Sequence, residues 1–417
     1  MKFRSIFGIL TGSGAAQAVT ILSYPLLARL YSPHDYGVYG GVMGIVTVLA
    51  TVMRMRADKL VLFTGVDAQR RDLLVSFLLL NGALTSVALF LIPLFERLLP
   101  SAGTPMLVMA VLVSLLTSLV HMLMGVHASE LQTRNIVQAQ FMRSLGTTAA
   151  QVAFFFLAWG AFGLMLGTVV GLVASLLMQL ATARGEGLLP PLRKVSVDEL
   201  KGGLRRQMPI LMWGSLQGLA GALTNASPVI FAAAVYSPAV AGIYVMADRL
   251  VRIPVNLIVT TIRPYVAVHS RSPEGLPDIA FMVKLSLLLG VVALAGLVPV
   301  MAFGELIFTV LLGRDWTGTG SLAGILFWFV FFAFASLPWQ AYVLSLGRAR
   351  ELIVIELVYL AARVGPLLAF GKAIDLRELA LIVIFSHLLY NLLYILYFAV
   401  AYRRGLLWSQ TPAPSDL

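Results

Sequence analysis

Four arginines, Arg143, Arg249, Arg252 and Arg363, lie inside stretches of sequence apolar enough to sit in hydrocarbon, where the embedded carboxylates are Asp248 and Glu356. A guanidinium removed from water is costly, so intramembrane charges pair with one another or face a water-filled cavity. An excess of cations in such a place points to an anionic ligand, and the planar guanidinium fork matches phosphate oxygens bidentately. An arginine beside an acid can also simply lock two helices together, and each residue carries that alternative.

Spacing sorts these residues into stripes. Arg249, Arg252, Asn256, Thr260 and Arg263 recur at steps of three or four, which sets them on one helical face, with Pro254 placed to kink the helix. Arg249 falls about 13 Å along that helix at 1.5 Å per residue, and Asp248 stands four residues before Arg252, near enough to pair. A second stripe, Gly40, Gly44, Thr47, Thr51, Arg54 and Asp58, is small at one end and charged at the other, with Arg54 and Asp58 also spaced for an ion pair. Shorter polar faces hold Gln140, Arg143, Thr147 and Gln151; Glu356, Tyr359 and Arg363; Ser114, Ser118 and His121; and His387, Asn391 and Tyr394. The two histidines read as hydrogen-bond partners between helices rather than proton carriers. The candidate phosphate-binding set is therefore Arg249, Arg252, Arg54, Arg143, Arg363 and Arg263, with Asp248, Asp58 and Glu356 as ion-pair or proton-coupling candidates.

The elements that carry these stripes follow from composition. The chain is 59% hydrophobic and 12% charged, with a mean hydropathy of +0.91. A soluble domain carries about 25% charged residues, so the expectation is an all-α polytopic membrane protein. A bilayer crossing takes about 20 apolar residues. Cutting at charge clusters and at Gly and Pro gives twelve spans, near 5–30, 37–60, 72–98, 104–127, 136–159, 161–183, 207–234, 239–263, 280–302, 318–346, 351–371 and 377–402. The first span imitates a secretory signal, but its apolar run continues unbroken to Leu30 and reads as an uncleaved helix. Gly163, Gly167 and Gly171 give the sixth span a close-packing face.

Lys and Arg crowd alternate connections (Arg54, Arg56, Lys59, Arg70 and Arg71; Arg184, Arg193, Lys194, Lys201, Arg205 and Arg206), whereas the opposite side holds Arg29, Arg97, Arg314, Lys372 and Arg377. That bias puts both termini in the cytoplasm. It also accounts for the net charge of +11 without nucleic acid. Residues 184–206 form the longest polar stretch, and Ser196-Val197-Asp198-Glu199 resembles a capping box opening a short amphipathic helix on the inner leaflet. The expected organisation is a six-helix bundle over 1–183, this linker over 184–206, a second bundle over 207–403 and a polar tail over 404–417. Six spans per half return the chain to the side it started from, so the repeats should be parallel, with a central cavity between them. There is no cysteine, and neither a metal-ligand cluster nor a carboxylate pair for acid–base work appears, so no cofactor, metal or enzymatic activity is expected.

A repeated string supports the duplication. Tyr31-Ser32-Pro33-His34-Asp35-Tyr36-Gly37-Val38-Tyr39 returns as Tyr236-Ser237-Pro238-Ala239-Val240-Ala241-Gly242-Ile243-Tyr244, each time between the first and second spans of a half. It reads as a tight hairpin whose proline opens the next helix and whose glycine allows close packing.

The run from Gly12-Ser13-Gly14-Ala15-Ala16-Gln17 through Tyr24-Pro25-Leu26-Leu27-Ala28-Arg29-Leu30 into that hairpin resembles the opening of Wzx-type O-antigen and polysaccharide flippases. These belong to the multidrug/oligosaccharidyl-lipid/polysaccharide exporter superfamily. Arg134, Gly163-Leu164-Met165-Leu166-Gly167, Pro209 and Ala241-Gly242-Ile243-Tyr244 extend the likeness, which covers about 5–402. The resemblance implies two six-helix bundles rocking about a cavity. It also implies transfer of a polyprenyl-diphosphate-linked oligosaccharide to the outer leaflet of a bacterial inner membrane, with membrane lipid, polysaccharide polymerase and chain-length proteins as partners. One rival is a cation-coupled drug antiporter of the same superfamily, but residues 5–28 lack the embedded carboxylate it would use. A membrane glycosyltransferase or polymerase would need larger outer loops than these.

Overall fold

Serine 32 begins the second helix in the way its sequence demands. Its backbone is extended (φ −75°, ψ 160°), its hydroxyl accepts from the Asp35 N–H, and the Asp35 carboxylate accepts in return from the Ser32 N–H, with Pro33 opening the helix. The computed structural model describes residues 3–63, 68–190, 197–270, 277–346 and 349–404, though not every side chain within them. It contains twelve long helices: α1 (Phe3–Leu30), α2 (Pro33–Arg54), α3 (Ala68–Phe90), α4 (Gly103–Ser129), α5 (Thr133–Phe156), α6 (Gly160–Gly185), α7 (Val197–Val235), α8 (Pro238–His269), α9 (Ile279–Leu312), α10 (Thr319–Ser345), α11 (Ala349–Phe370) and α12 (Leu376–Arg403).

These twelve coincide with the twelve expected spans, with instructive differences at their ends. Among the described residues, nine are long and apolar enough to cross a membrane. The other three are the Gly/Ser/Thr-rich α1 and two of the three helices with embedded arginines, α5 and α8. The expected linker helix is no separate element: from Val197 the backbone runs as one helix into α7. Ser196, its proposed cap, and the tail beyond Arg404 lie outside the described residues. Span two is also shorter than its apolar run. Helix α2 ends at Arg54 because Met55 and Arg56 both take left-handed backbone (φ 44° and 54°), a conformation costing about 1–2 kcal/mol per non-glycine residue. Its freed end is met by the Asn81 side chain, which donates to the Met53 carbonyl at 3.1 Å.

The chain divides into two compact units, Met1–Val245 with Leu311–Trp316, and Met246–Val310 with Thr317–Leu417. In the first, α5 packs along α6 through the expected glycine face: Gly167 lies against Gln151 and Gly171 against Thr147 and the Arg143 carbonyl. Trp316, almost fully buried, donates to the Ala28 carbonyl at 2.8 Å and meets the Tyr36 ring edge-on at 5.4 Å. In the second unit, α10, α11 and α12 close around Tyr342, Leu352, Tyr394 and Phe398. Leu287, Leu288, Val291, Val298 and Leu306 of α9 remain exposed, the contiguous apolar surface that a membrane-spanning helix turns toward lipid.

The halves also share a capping device beyond the hairpin. At the end of α9, Glu305 accepts from the Gly318 and Ser321 N–H groups at 2.6 and 3.0 Å, closing the start of α10. At the matching point of the first half, Glu96 pairs with the Thr104 hydroxyl at the start of α4. In the first hairpin, Asp35 serves two helix starts at once, because its other oxygen accepts from the Ala161 N–H of α6 at 3.1 Å. Burial, with Asp35 beside it, pushes the Tyr31 phenol up to about 12. The phenol therefore stays a donor to the Gln151 carbonyl, at 2.7 Å. Replacing Asp35 by alanine uncaps α2 and α6 together and should cost about 2 kcal/mol at about 1 kcal/mol per cap. Asn should restore part of the loss in a thermal melt of the purified protein.

Candidate functional site

The candidate residues fall into two groups, one in each unit, and the two groups differ in kind. In the second unit the arginines are largely spoken for. Arg252 on α8 donates to the Asp248 carboxylate at 2.7 Å, four residues back, and its guanidinium lies 4.9 Å from the centre of the Phe329 ring. Arg363 on α11 is fully buried. Its Nε donates to the Ser386 hydroxyl at 2.9 Å, a terminal nitrogen donates to the Val383 carbonyl at 2.7 Å, and the Tyr359 ring lies 4.8 Å beneath it. Each arginine therefore has a substitute for lost hydration.

Glu356, two turns before Arg363, accepts from the Tyr390 phenol at 3.0 Å and more weakly from Tyr394 at 3.5 Å. Tyr359 and His387 share a hydrogen bond at 3.1 Å, while Ser336, Gln340 and Asn391 form an adjoining network. His387 thus works between helices, as expected, and Asn391 does the same. The remaining stripe residues of α8 change with position. Asp248 is buried, Arg249 is partly buried, and Asn256, Thr260 and Arg263 are exposed. The helix continues through Pro254.

The first unit holds cations without such compensation. Arg54 ends α2, Arg143 sits on α5, and Lys59 lies in the short helix Ala57–Leu60. All three lie near enough to His121 of α4 to act on it electrostatically, with Arg54 and Arg143 half-buried and Lys59 exposed. No carboxylate among the described residues lies within ion-pair range of Arg54 or Arg143. Arg54 makes one long hydrogen bond, to the Thr51 hydroxyl at 3.4 Å, and its buried Nε has no partner.

The ion pair expected between Arg54 and Asp58 does not form. Their four-residue spacing brings side chains together only on a continuous helix, and the left-handed Met55 and Arg56 interrupt it. Asp58 instead lays its backbone against Gly125 of α4. Arg56 donates to the Gln217 side chain of α7 at 3.3 Å. Lys59 is exposed.

A third arginine was missed as a structural element. Arg70, counted among the connections, is fully buried and bonded to Glu130 at 2.8 Å and to Ser129 at 3.0 Å. Nothing in the sequence distinguishes it from Arg71, its exposed-side neighbour. Phe329 beneath Arg252 likewise had no signal, being one of many aromatics on α10.

Two half-buried guanidinium groups near one histidine carry the charge and the planar forks that an anion would need. Comparisons with known proteins bear on what kind of protein this is. No curated protein sequence matches the chain. Solved structures match over nearly its whole length. An inward-facing multidrug resistance MATE family transporter of the MOP superfamily superimposes with a TM-score of 0.68 at 14% identity, covering 99% of this chain and 100% of that one. The lipid II flippase MurJ, in an inward closed conformation, gives 0.69 at 13% identity, over 94% and 87%. A MOP superfamily transporter from Pyrococcus furiosus gives 0.60 at 14% identity, over 97% and 96%. At these identities the likeness shows the fold: an all-α, multi-pass membrane protein of twelve helices in two six-helix repeats. The model of one sequence family, described as polysaccharide biosynthesis protein, matches residues 26–320. The chain belongs to that polysaccharide biosynthesis family and carries the fold of the MOP superfamily transporters.

Proposed function

We propose that the protein is a flippase that moves a polyprenyl-diphosphate-linked oligosaccharide, an O-antigen or exopolysaccharide unit, between leaflets of the bacterial inner membrane by alternating access. The supporting observation is the pair of arginines Arg54 and Arg143 beside His121, half-buried among helices and without a carboxylate partner among the described residues. Such a group is expensive in a membrane unless a ligand supplies the negative charge. A diphosphate does so and leaves its lipid chain in the bilayer. In this reading Arg54 and Arg143 grip the diphosphate, Arg249 and Arg263 extend the basic stripe on α8, and Arg252 contributes a charge partly offset by Asp248. Arg363 supports the fold of the second unit. The protein has no catalytic step and uses no metal. Both termini lie in the cytoplasm, and the two bundles, 1–183 and 207–403, move about the 184–206 connection. Polymerase and chain-length proteins receive the product.

Export of a cationic drug is the alternative that the MATE-like fold raises, and the same cations oppose it by repulsion. The deciding experiment is transfer in proteoliposomes of a defined polyprenyl-diphosphate glycan, run with and without an H⁺ or Na⁺ gradient. A rate no greater than in protein-free vesicles under every gradient sinks the proposal.

A further inference from the structure

Helices α11 and α12 leave a groove of about 590 Å³ along the part of their length next to the turn that joins them. Its walls are Ala362, Pro366 and Phe370 on α11 and Leu381, Phe385 and Leu389 on α12. From Ala362 to Phe370 a helix rises about 12 Å at 1.5 Å per residue. One leaflet contributes about 15 Å to a hydrocarbon core about 30 Å thick, so the groove runs through most of a single leaflet. The polar side chain at its depth is Ser386, and that hydroxyl is already used. It accepts from Arg363 Nε at 2.9 Å and donates to the Ile382 carbonyl at 2.6 Å. Nothing deep in the groove asks for a hydrogen bond, and hydrocarbon is the filling it suits.

The mouth is different, because it carries charge of both signs. Arg377 stands four residues before Leu381, at the head of the lining row Leu381, Phe385 and Leu389. Lys372 lies in the turn, next to the lining residues Ala373 and Ile374. Both cations are exposed and make no ion pair or hydrogen bond among the described residues. Glu378 lines the groove itself. One of its oxygens accepts from the Asp375 N–H at 2.8 Å as part of the cap of α12, and the other has no partner among the described residues.

Two open cations and an open carboxylate oxygen, set at the head of an apolar groove, match a headgroup that bears both charges. A phosphate suits Lys372 and Arg377, and a primary ammonium suits Glu378. A purely anionic headgroup or a diphosphate would meet the Glu378 charge at the entrance. A choline headgroup has no N–H to give it. We infer that the groove binds phosphatidylethanolamine, with an acyl chain between α11 and α12 and the headgroup across Lys372, Arg377 and Glu378. The inference needs only a membrane-spanning chain, so it stands or falls separately from the flippase reading and its anion group.

The test measures lipid retained by the purified full-length protein in detergent, by native mass spectrometry, with dioleoyl phosphatidylethanolamine, phosphatidylcholine or phosphatidylglycerol added. Wild-type protein should hold the ethanolamine lipid about tenfold more tightly than either of the others, the order expected from one hydrogen bond between charged groups. Glu378→Gln keeps an oxygen to accept from the Asp375 N–H, so it should fold as before and bind the ethanolamine and choline lipids alike. Ala362→Phe, which fills the groove, should lose both lipids; if it fails to fold, the Glu378→Gln comparison still decides. Equal retention of the three lipids by wild-type protein overturns the site, as does a preference that survives in Glu378→Gln. Displacement of the ethanolamine lipid by an equal concentration of a polyprenyl diphosphate also overturns it, giving the groove to a substrate tail instead.

Discussion

Replacing Arg54 and Arg143 together by alanine should lower transfer of a lipid diphosphate while leaving the protein as stable as before, or slightly more so. Removing one partner from a desolvated charge contact with a ligand costs about 2–5 kcal/mol. At 1.4 kcal/mol per factor of ten, the loss is about thirtyfold or more in apparent affinity. The stability side of the prediction follows from what these side chains lack. Arg143 has no ion pair among the described residues, and Arg54 has only a long bond to Thr51. Deleting an uncompensated charge from a membrane interior relieves desolvation, the trade expected where a site is kept strained for function. Lysine at both positions should restore part of the transfer if charge suffices, and less if two-pronged contact with phosphate oxygens matters. A thermal melt and a proteoliposome assay on the same preparation check both halves.

Arg363 should behave in the opposite sense. Its guanidinium is fully buried, gives two hydrogen bonds on α12 and rests on Tyr359. Hydrogen bonds to charged groups are worth about 1.5–3 kcal/mol each, and truncation adds a cavity. Allowing for the relieved burial of the charge, Arg363→Ala should destabilise by about 3–5 kcal/mol. Transport should fall with the amount of folded protein, while activity per folded molecule changes little. Arg363→Ala protein that is abundant, folded and inactive would instead move Arg363 into the binding group. The contrast between Arg54 and Arg363 therefore separates arginines that bind from arginines that brace.

The two arginine classes show where sequence alone could and could not lead. Twelve helices were legible because each crossing needs an apolar run and each connection carries Gly, Pro or charge. The hairpin was legible because its string repeats and Pro33 opens a helix, whereas the Ser32–Asp35 cap emerged only in the structure. The embedded arginines were legible as a set, since charge inside an apolar run is conspicuous. Their partners were not. Arg363 is satisfied by Ser386 and the Val383 carbonyl, one turn apart on another helix, a relation with no signature in linear spacing. The Arg54–Asp58 spacing misled because a helical rule was applied across Met55 and Arg56, whose left-handed backbone no residue type announced. The Gly37–Gly242 contact lay halfway: the repeated string marked both glycines, and only packing revealed that they meet.

The account turns on recognition of a diphosphate by cations that have no carboxylate partner among the described residues. The most direct measurement compares proteoliposome transfer of one glycan carried on a polyprenyl diphosphate and on a polyprenyl monophosphate, for wild-type protein and for the Arg54→Ala/Arg143→Ala variant. Wild-type protein should move the diphosphate faster, and the double variant should lose both the rate and the preference. Equal rates for the two lipids with wild-type protein, or an unchanged preference in the double variant, would contradict the account.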